Sequence, residues 1–276
     1  MTYPKYFIEL VQTTYDMWAK GWDEYNGGNI SYLLTKEEIE RLPEDFSDTS
    51  YHFYDEPIEI KNLMEIPKII QGKYLLITAS GSHFRYVKEQ PNIDTGIVKL
   101  TKNGYQIIAG YNTGKRPTSE IYMHILSHNV RLSKNKNHRV VIHNHATNIV
   151  LYSLLNEVTS ESLTKDLWSV LTESIVVFPD GISVLPWKVP GTREIGEATS
   201  ELLKECRLVV WEKHGVLSTG VDFEDCFGLI ETANKAAGLA LDLQKVSGKS
   251  LSENNVLSSK DLKEICKALK VRGRYL

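Results

Sequence analysis

At the start of the chain Phe7, Leu10, Val11, Thr14 and Trp18 recur at three- and four-residue spacing, the period at which a helix buries one face, and the helix is expected to stop near Gly21. Asn26-Gly27-Gly28-Asn29 then reads as a tight turn, and Ile30 to Leu34 as a short strand. Thr35 with Glu38 has capping-box spacing, which predicts a brief helix to about Leu42. Residues 43–72 are polar and interrupted by Pro43, Pro57 and Pro67, so they are expected to form a long surface excursion. Three runs rich in β-branched and aromatic residues follow: Tyr74 to Thr78, Gly96 to Leu100 and Tyr105 to Ala109. Separated by turn signals such as Ser80-Gly81 and Asn103-Gly104, they predict a meander.

Beyond Pro117, with Thr118 or Ser119 as N-cap, a helix should run to about Leu132, followed by a strand from Arg139 to His143. Thr164 to Leu171 reads as helix, and Ser174 to Phe178 and Ile182 to Leu185 as strands around the Pro179-Asp180-Gly181 turn. Thr192 opens a helix to about Glu205. Leu208 to Trp211 and Val216 to Ser218 read as strands flanking His214. Asp222 to Val246 is a long helix closed by Gly248, and Lys260 to Leu269 a last short one. Strands interleaved with covering helices, with no internal repeat and no composition break, predict a single α/β domain over 1–276 with one mixed or antiparallel sheet between helices.

Charge and composition narrow the ligands more than the fold. The formal charge is −3, whereas an extended nucleic-acid footprint needs clustered Lys and Arg, so nucleic acid is excluded and any charged ligand is expected to be small. No window approaches ~20 uninterrupted apolar residues, and the first residues lack a basic segment followed by an apolar one; neither membrane spanning nor secretion is expected. Cys206, Cys226 and Cys266 are odd in number and lack C-x-x-C spacing, which fits a reducing cytoplasm. A chain of 276 residues builds its core without metal staples, so a metal here would be functional.

The sharpest local signal is Val140-Val141-Ile142-His143-Asn144-His145. Strand side chains alternate faces, so His143 and His145 point the same way and can grip one cation as neutral imidazoles. His214, at the end of another apolar strand, offers a third ligand, and three histidines with open positions suit a catalytic Zn²⁺. On spacing alone, an accidental pair hydrogen-bonded at a strand end explains H-x-H as well. His124 and His128 share a helix face with Glu120 and could also hold zinc. They lack the Glu that follows the first His in H-E-x-x-H, however, and read as packing or interface histidines. The turns at 26–29, 78–81 and 117–119 could present backbone N–H groups to a phosphate, or be plain hairpin and capping chemistry. Glu120 is explained by a helix dipole, or becomes a proton shuttle if its turn faces the metal; Glu173 is a weaker candidate of the same kind.

These residues occur together in a known order. From about Thr14 to Leu243 the chain resembles the class II aldolase/adducin family. The match runs through Gly21-Trp22-Asp23-Glu24-Tyr25-Asn26-Gly27-Gly28-Asn29, Pro117-Thr118-Ser119-Glu120 and His143-Asn144-His145-Ala146-Thr147-Asn148, then Val177-Phe178-Pro179-Asp180-Gly181, Pro190-Gly191-Thr192 and His214-Gly215-Val216. The resemblance implies a central, mostly antiparallel sheet covered by helices on both faces, one Zn²⁺ per subunit, and a homotetramer with active sites at subunit borders. It implies that His143, His145 and His214 ligate the zinc and that Glu120 is the principal acid/base. Asn26, Gly28, Asn29, Ser80, Gly81 and Ser119 would hold a substrate phosphate, and Glu173 would handle the aldehyde end. Asn144 and Ser82-His83 depart from the pattern at positions without a proposed role, and the tail after about Ser247 matches poorly. The implied reaction is retro-aldol cleavage of a ketose 1-phosphate to dihydroxyacetone phosphate and lactaldehyde. Another sugar phosphate such as fuculose 1-phosphate, an epimerisation, and a non-enzymatic assembly domain are the competing expectations.

Overall fold

The computed structural model describes residues 3–155 and 158–276. Met1 and Thr2, which belong to the stretch read above for a leader, and residues 156 and 157 within the expected domain range lie outside the described residues. Helix α1 (Lys5–Ala19) leads into β1 (Asn29–Leu33) and α2 (Lys36–Glu40). The expected capping box is present at α2: Thr35 Oγ1 accepts from Glu38 N–H at 3.2 Å, and the Glu38 carboxylate accepts from Thr35 N–H at 2.7 Å. There follow β2 (Phe53–Ile60), β3 (Tyr74–Thr78), α3 (Phe84–Val87), α4 (Pro91–Asp94), β4 (Thr95–Leu100) and β5 (Tyr105–Gly110). Next come α5 (Ile121–Lys134), β6 (Val140–Asn144), α6 (Thr147–Tyr152), α7 (Ser160–Val170), α8 (Thr172–Val177) and β7 (Ile182–Leu185). The chain ends with α9 (Arg193–Leu202), β8 (Leu208–Trp211), β9 (Gly215–Gly220), α10 (Phe223–Ser247) and α11 (Ser259–Leu269).

The nine strands among the described residues form one sheet in the order β2-β5-β4-β3-β1-β6-β9-β8-β7. Only β7 and β8 run parallel among the described pairs; the other pairings are antiparallel, as the resemblance implied. Alternation along the strands feeds two apolar layers. Val140, Ile142, Leu208, Val210 and Val216 join the cluster built with α1, α6, α7 and α10. Val141, Val209, Trp211 and Leu217 join α5 and α9 on the opposite face, and Leu75, Ile77 and Val98 continue that face. Each such side chain taken fully out of water contributes about 1.5–3 kcal/mol, so the central strands are fixed in register by both faces. That register sets Asn29 of β1 opposite His143 of β6.

The structure corrects the sequence reading in several places. Segment 43–72 is not only a surface excursion: it supplies β2 at the sheet edge and buries Phe46, Tyr51, Met64, Ile66 and Ile70. Pro57, which argued against a strand, falls at a register irregularity between Phe53 and Ile58, where a missing N–H costs no ladder bond. Of residues 174–178, expected as a strand, 174–177 belong to helix α8, whose Ser174 and Ile175 are buried, and Phe178 is its C-cap. A short apolar run carries no period that separates the two, and packing against α7, α10 and α11 decides it. Helix α6 and the short helices α3 and α4 arise where no element was expected. Finally, α5 begins only at Ile121 with Glu120 as N-cap residue, and it is Thr118 Oγ1 that accepts from Glu120 N–H, at 3.2 Å.

Candidate active site and metal centre

The centre of the sheet brings distant parts of the chain to one point. His143 lies near the end of β6, His145 directly beyond it, and His214 in the turn between β8 and β9. The three rings pack edge to face or tilted, with centroids 5.2, 4.9 and 5.1 Å apart. One ligand atom from each lies within 4.8 Å of the other two. Gly27 and Gly215 make this crowding possible: a Cβ on Gly27 would come within 2.8 Å of the His145 ring, and one on Gly215 within 2.8 Å of His143 Cε1.

The donor set fits a metal ion. His143 Nδ1–H donates to the Val216 carbonyl at 3.1 Å, and His145 Nδ1–H donates to the Glu24 carboxylate, so Nε2 is the ring nitrogen that each has left to offer a metal. Nε2 of His145 and Nδ1 of His214 are buried with no hydrogen-bonding partner among the described residues. Burial, reinforced by the neighbouring imidazoles, holds His143 well below its usual range and His214 down at about 4, so at neutral pH both carry the lone pair that ligation needs. The Glu24 partnership is testable. Glu24→Ala is expected to weaken metal affinity by about tenfold, the lower end for such supporting partners, because the Glu24 side chain is 70% exposed. Titration against a competing chelator measures this; unchanged affinity would leave Glu24 without a role at the metal.

Glu120 Oε2 sits 3.6 Å from His143 Nε2 and accepts from Asn29 Nδ2–H at 2.9 Å. Burial raises its affinity for a proton, while the Asn29 hydrogen bond opposes that rise. A cavity of about 150 Å³ opens over these groups. Its walls are Asn26, Gly27, Gly28 and Asn29 from one turn, Ala79, Ser80 and Gly81 from a second, and Thr118, Ser119 and Glu120 from a third. All six residues expected at a phosphate therefore line the same cavity as the three histidines and Glu120. Ser80 N–H already donates to the Arg116 carbonyl, leaving its hydroxyl, whereas the N–H groups of Gly28, Gly81 and Ser119 have no backbone acceptor among the described residues.

Glu173 is not brought to this cavity. It is exposed at the start of α8 and lines a separate space of about 570 Å³ with Lys20, Trp22, Glu231 and Lys235. Of the two readings left for His124 and His128, packing is the one their surroundings support, and among the described residues they join no cluster that could hold a metal. Both are fully buried and hydrogen-bonded to Ser31, and His124 also to Asn29. Sequence reasoning missed Glu24, Gly27 and Gly215 as parts of the centre, although all three stand in the motifs that carry the resemblance.

The family model described as Class II Aldolase and Adducin N-terminal domain matches residues 8–241. A rhamnulose-1-phosphate aldolase of Listeria monocytogenes is 42% identical over 231 residues, 83% of this chain and 81% of that protein. A protein of the same name from Pectobacterium carotovorum is 38% identical over 248 residues, 88% of each chain. Among solved structures, the sugar-phosphate aldolase of Thermotoga maritima superimposes with a TM-score of 0.72 at 28% identity, over 90% of this chain and 98% of that one.

Proposed function

The chain belongs to the class II aldolase and adducin family, and from that premise we propose that it is an aldehyde-lyase that cleaves L-rhamnulose 1-phosphate to dihydroxyacetone phosphate and L-lactaldehyde in rhamnose catabolism. The observation that carries this reading is the meeting, in one cavity, of three imidazoles, the Glu120 carboxyl and three Gly- or Ser-bearing turns. His143, His145 and His214 would hold one Zn²⁺ per subunit. Such an ion supplies, when bound, positive charge near the charge that develops on the three-carbon fragment as the C3–C4 bond breaks.

The protein's own groups do the rest. Asn26, Gly28, Asn29, Ser80, Gly81 and Ser119 grip the phosphate with backbone N–H groups and short polar side chains, anchoring the substrate away from the reacting carbons and orienting them. As the C3–C4 bond breaks, the C4 hydroxyl loses its proton and becomes the aldehyde, the bonding electrons stay on C3, and Glu120, beside His143, delivers a proton to C3. Burial among Asn29, Thr118 and the histidines keeps bulk water from competing for that proton. Glu173 acts, in this reading, from a neighbouring subunit, since its own chain points it into a different space; the protein is then a homotetramer with sites at subunit borders. Among the described residues no helix is long and apolar enough to cross a membrane, and a cytoplasmic location follows from the small phosphorylated substrate and the free cysteines.

A panel of ketose 1-phosphates tests the assignment. Highest kcat/KM is expected for L-rhamnulose 1-phosphate, with dihydroxyacetone phosphate and lactaldehyde released in equal amounts. A preference for L-fuculose 1-phosphate, or isomerised sugar phosphate without cleavage, would replace it.

A further inference from the structure

Behind Glu120 a line of buried polar side chains runs between β1 and helix α5 as far as His138. Asn29 Nδ2 lies 2.9 Å from Glu120 Oε2, and Asn29 Oδ1 lies 2.7 Å from His124 Nε2. Ser31 Oγ is 2.7 Å from His124 Nδ1 and 2.8 Å from His128 Nε2, and His128 Nδ1 is 3.1 Å from His138 Nε2. The match between elements is geometric. Asn29 and Ser31 are two apart on one face of β1, a step of about 6.6–6.8 Å, while His124 and His128 are one helical turn apart on α5, a rise of about 6 Å. Two strand positions and two helix positions thus meet as a ladder.

One arrangement of protons satisfies every contact to the Glu120 carboxylate. A carboxylate only accepts, so the Asn29 amide nitrogen must face it, which turns Oδ1 toward His124. His124 then donates from Nε2 and accepts at Nδ1 from the Ser31 hydroxyl. Ser31 accepts from His128 Nε2–H, and His128 Nδ1 accepts from His138 Nε2–H. Each imidazole is neutral with a single N–H, as burial dictates: His124 and His128 are pushed well below their usual range and His138 to about 3. Turning the Asn29 amide over would set its oxygen against the Glu120 carboxylate and strand the proton on His124 Nε2, and it could be relieved only by reversing the ladder link by link.

We propose that His124 is a positioning residue for Glu120: it locks the Asn29 amide in the orientation that donates to the Glu120 carboxylate, and Ser31, His128 and His138 hold His124 in the tautomer that does so. This rests on reading Glu120 as the acid/base of the aldol cleavage. None of the three histidines touches the cavity, so their effect on turnover passes through Asn29.

The test compares His124→Leu, which fills the space without a donor, with His124→Gln, whose side-chain amide offers an N–H near the place of Nε2. For zinc-loaded protein, His124→Leu is expected to lower kcat about 10–100-fold with KM and metal content within about threefold, and His124→Gln to recover kcat to within about fivefold of wild type. Equal losses in the two variants, or wild-type kcat in His124→Leu, would overturn the proposal. Ser31→Ala removes one hydroxyl and covers the case in which His124→Leu fails to fold; a kcat loss of about 3–10-fold supports the ladder, and no loss refutes it. Crystal structures of the variants read the same point without turnover. The Glu120–Asn29 contact should persist in His124→Gln and be lost in His124→Leu. If wild-type protein cleaves no ketose 1-phosphate, the functional reading fails while these structures still decide whether His124 positions Glu120.

Discussion

Glu120→Ala is expected to keep one metal per chain and lose about 10²–10⁴-fold in kcat, the usual range for a positioned general acid or base. The carboxyl is buried beside His143 but shares no hydrogen bond with it, at 3.6 Å, so removing it leaves the three imidazoles and their supporting partners Val216 and Glu24 in place. It does strip Asn29 Nδ2–H of its acceptor, and truncation alone could disturb the turn that ends at Asn29. Glu120→Gln separates the two effects. Gln keeps the side-chain length and an oxygen for Asn29 but cannot carry a proton between carbon and solvent, so it should be nearly as slow as Ala with a KM close to wild type. Steady-state kinetics beside metal analysis make the measurement; wild-type turnover in either variant would remove Glu120 from the proton pathway.

Removal of the metal should be comparably damaging. Dialysis against a strong chelator is expected to reduce cleavage below about one part in 10³, and added Zn²⁺ to restore it, because no Lys or Arg among the described residues stands in the cavity wall to meet the developing carbanion. An alternative without metal needs a lysine for a Schiff base, and among the described residues none lines the cavity. His143→Ala should be inactive and unresponsive to added zinc. Since the His143 ring also packs on Trp211, with centroids 4.5 Å apart, a thermal melt must accompany it to show that the fold survives. Cleavage that persisted after complete metal removal would discard the zinc mechanism.

What could be read from residues, and what could not, divides along sequence distance. His143 and His145 announce themselves because strand alternation puts i and i+2 on one face, and His214 because it too closes an apolar strand. The capping box at Thr35 and the glycine stop at Gly248 are local chemistry, and both stand as expected. The ladder behind Glu120 could not be seen that way. His124 and His128 display helical spacing, but their partners Asn29 and Ser31 lie over ninety residues away, and only the pairing of β1 against β6 and the seat of α5 bring them together. The same holds for Gly27 and Gly215, whose need to be glycine appears only once the His145 and His143 rings are packed against them. Residues 174–178 misled for the opposite reason: a β-branched run favours a strand locally, and burial of Ser174 and Ile175 against neighbouring helices outweighs that preference.

The outermost strand has a meaning for life in a crowded solution. An open sheet offers its last strand as a template to any extended chain that drifts past, and β2 occupies that position at one end of the nine. It presents Asp55, Glu56 and Pro57 outward, followed by Glu59, and its ladder is already broken between Phe53 and Ile58. Like charges repel a second copy, and the proline and the break deny an incoming strand a continuous row of donors. The residue that disguised this strand in the sequence is thus also its protection against aggregation.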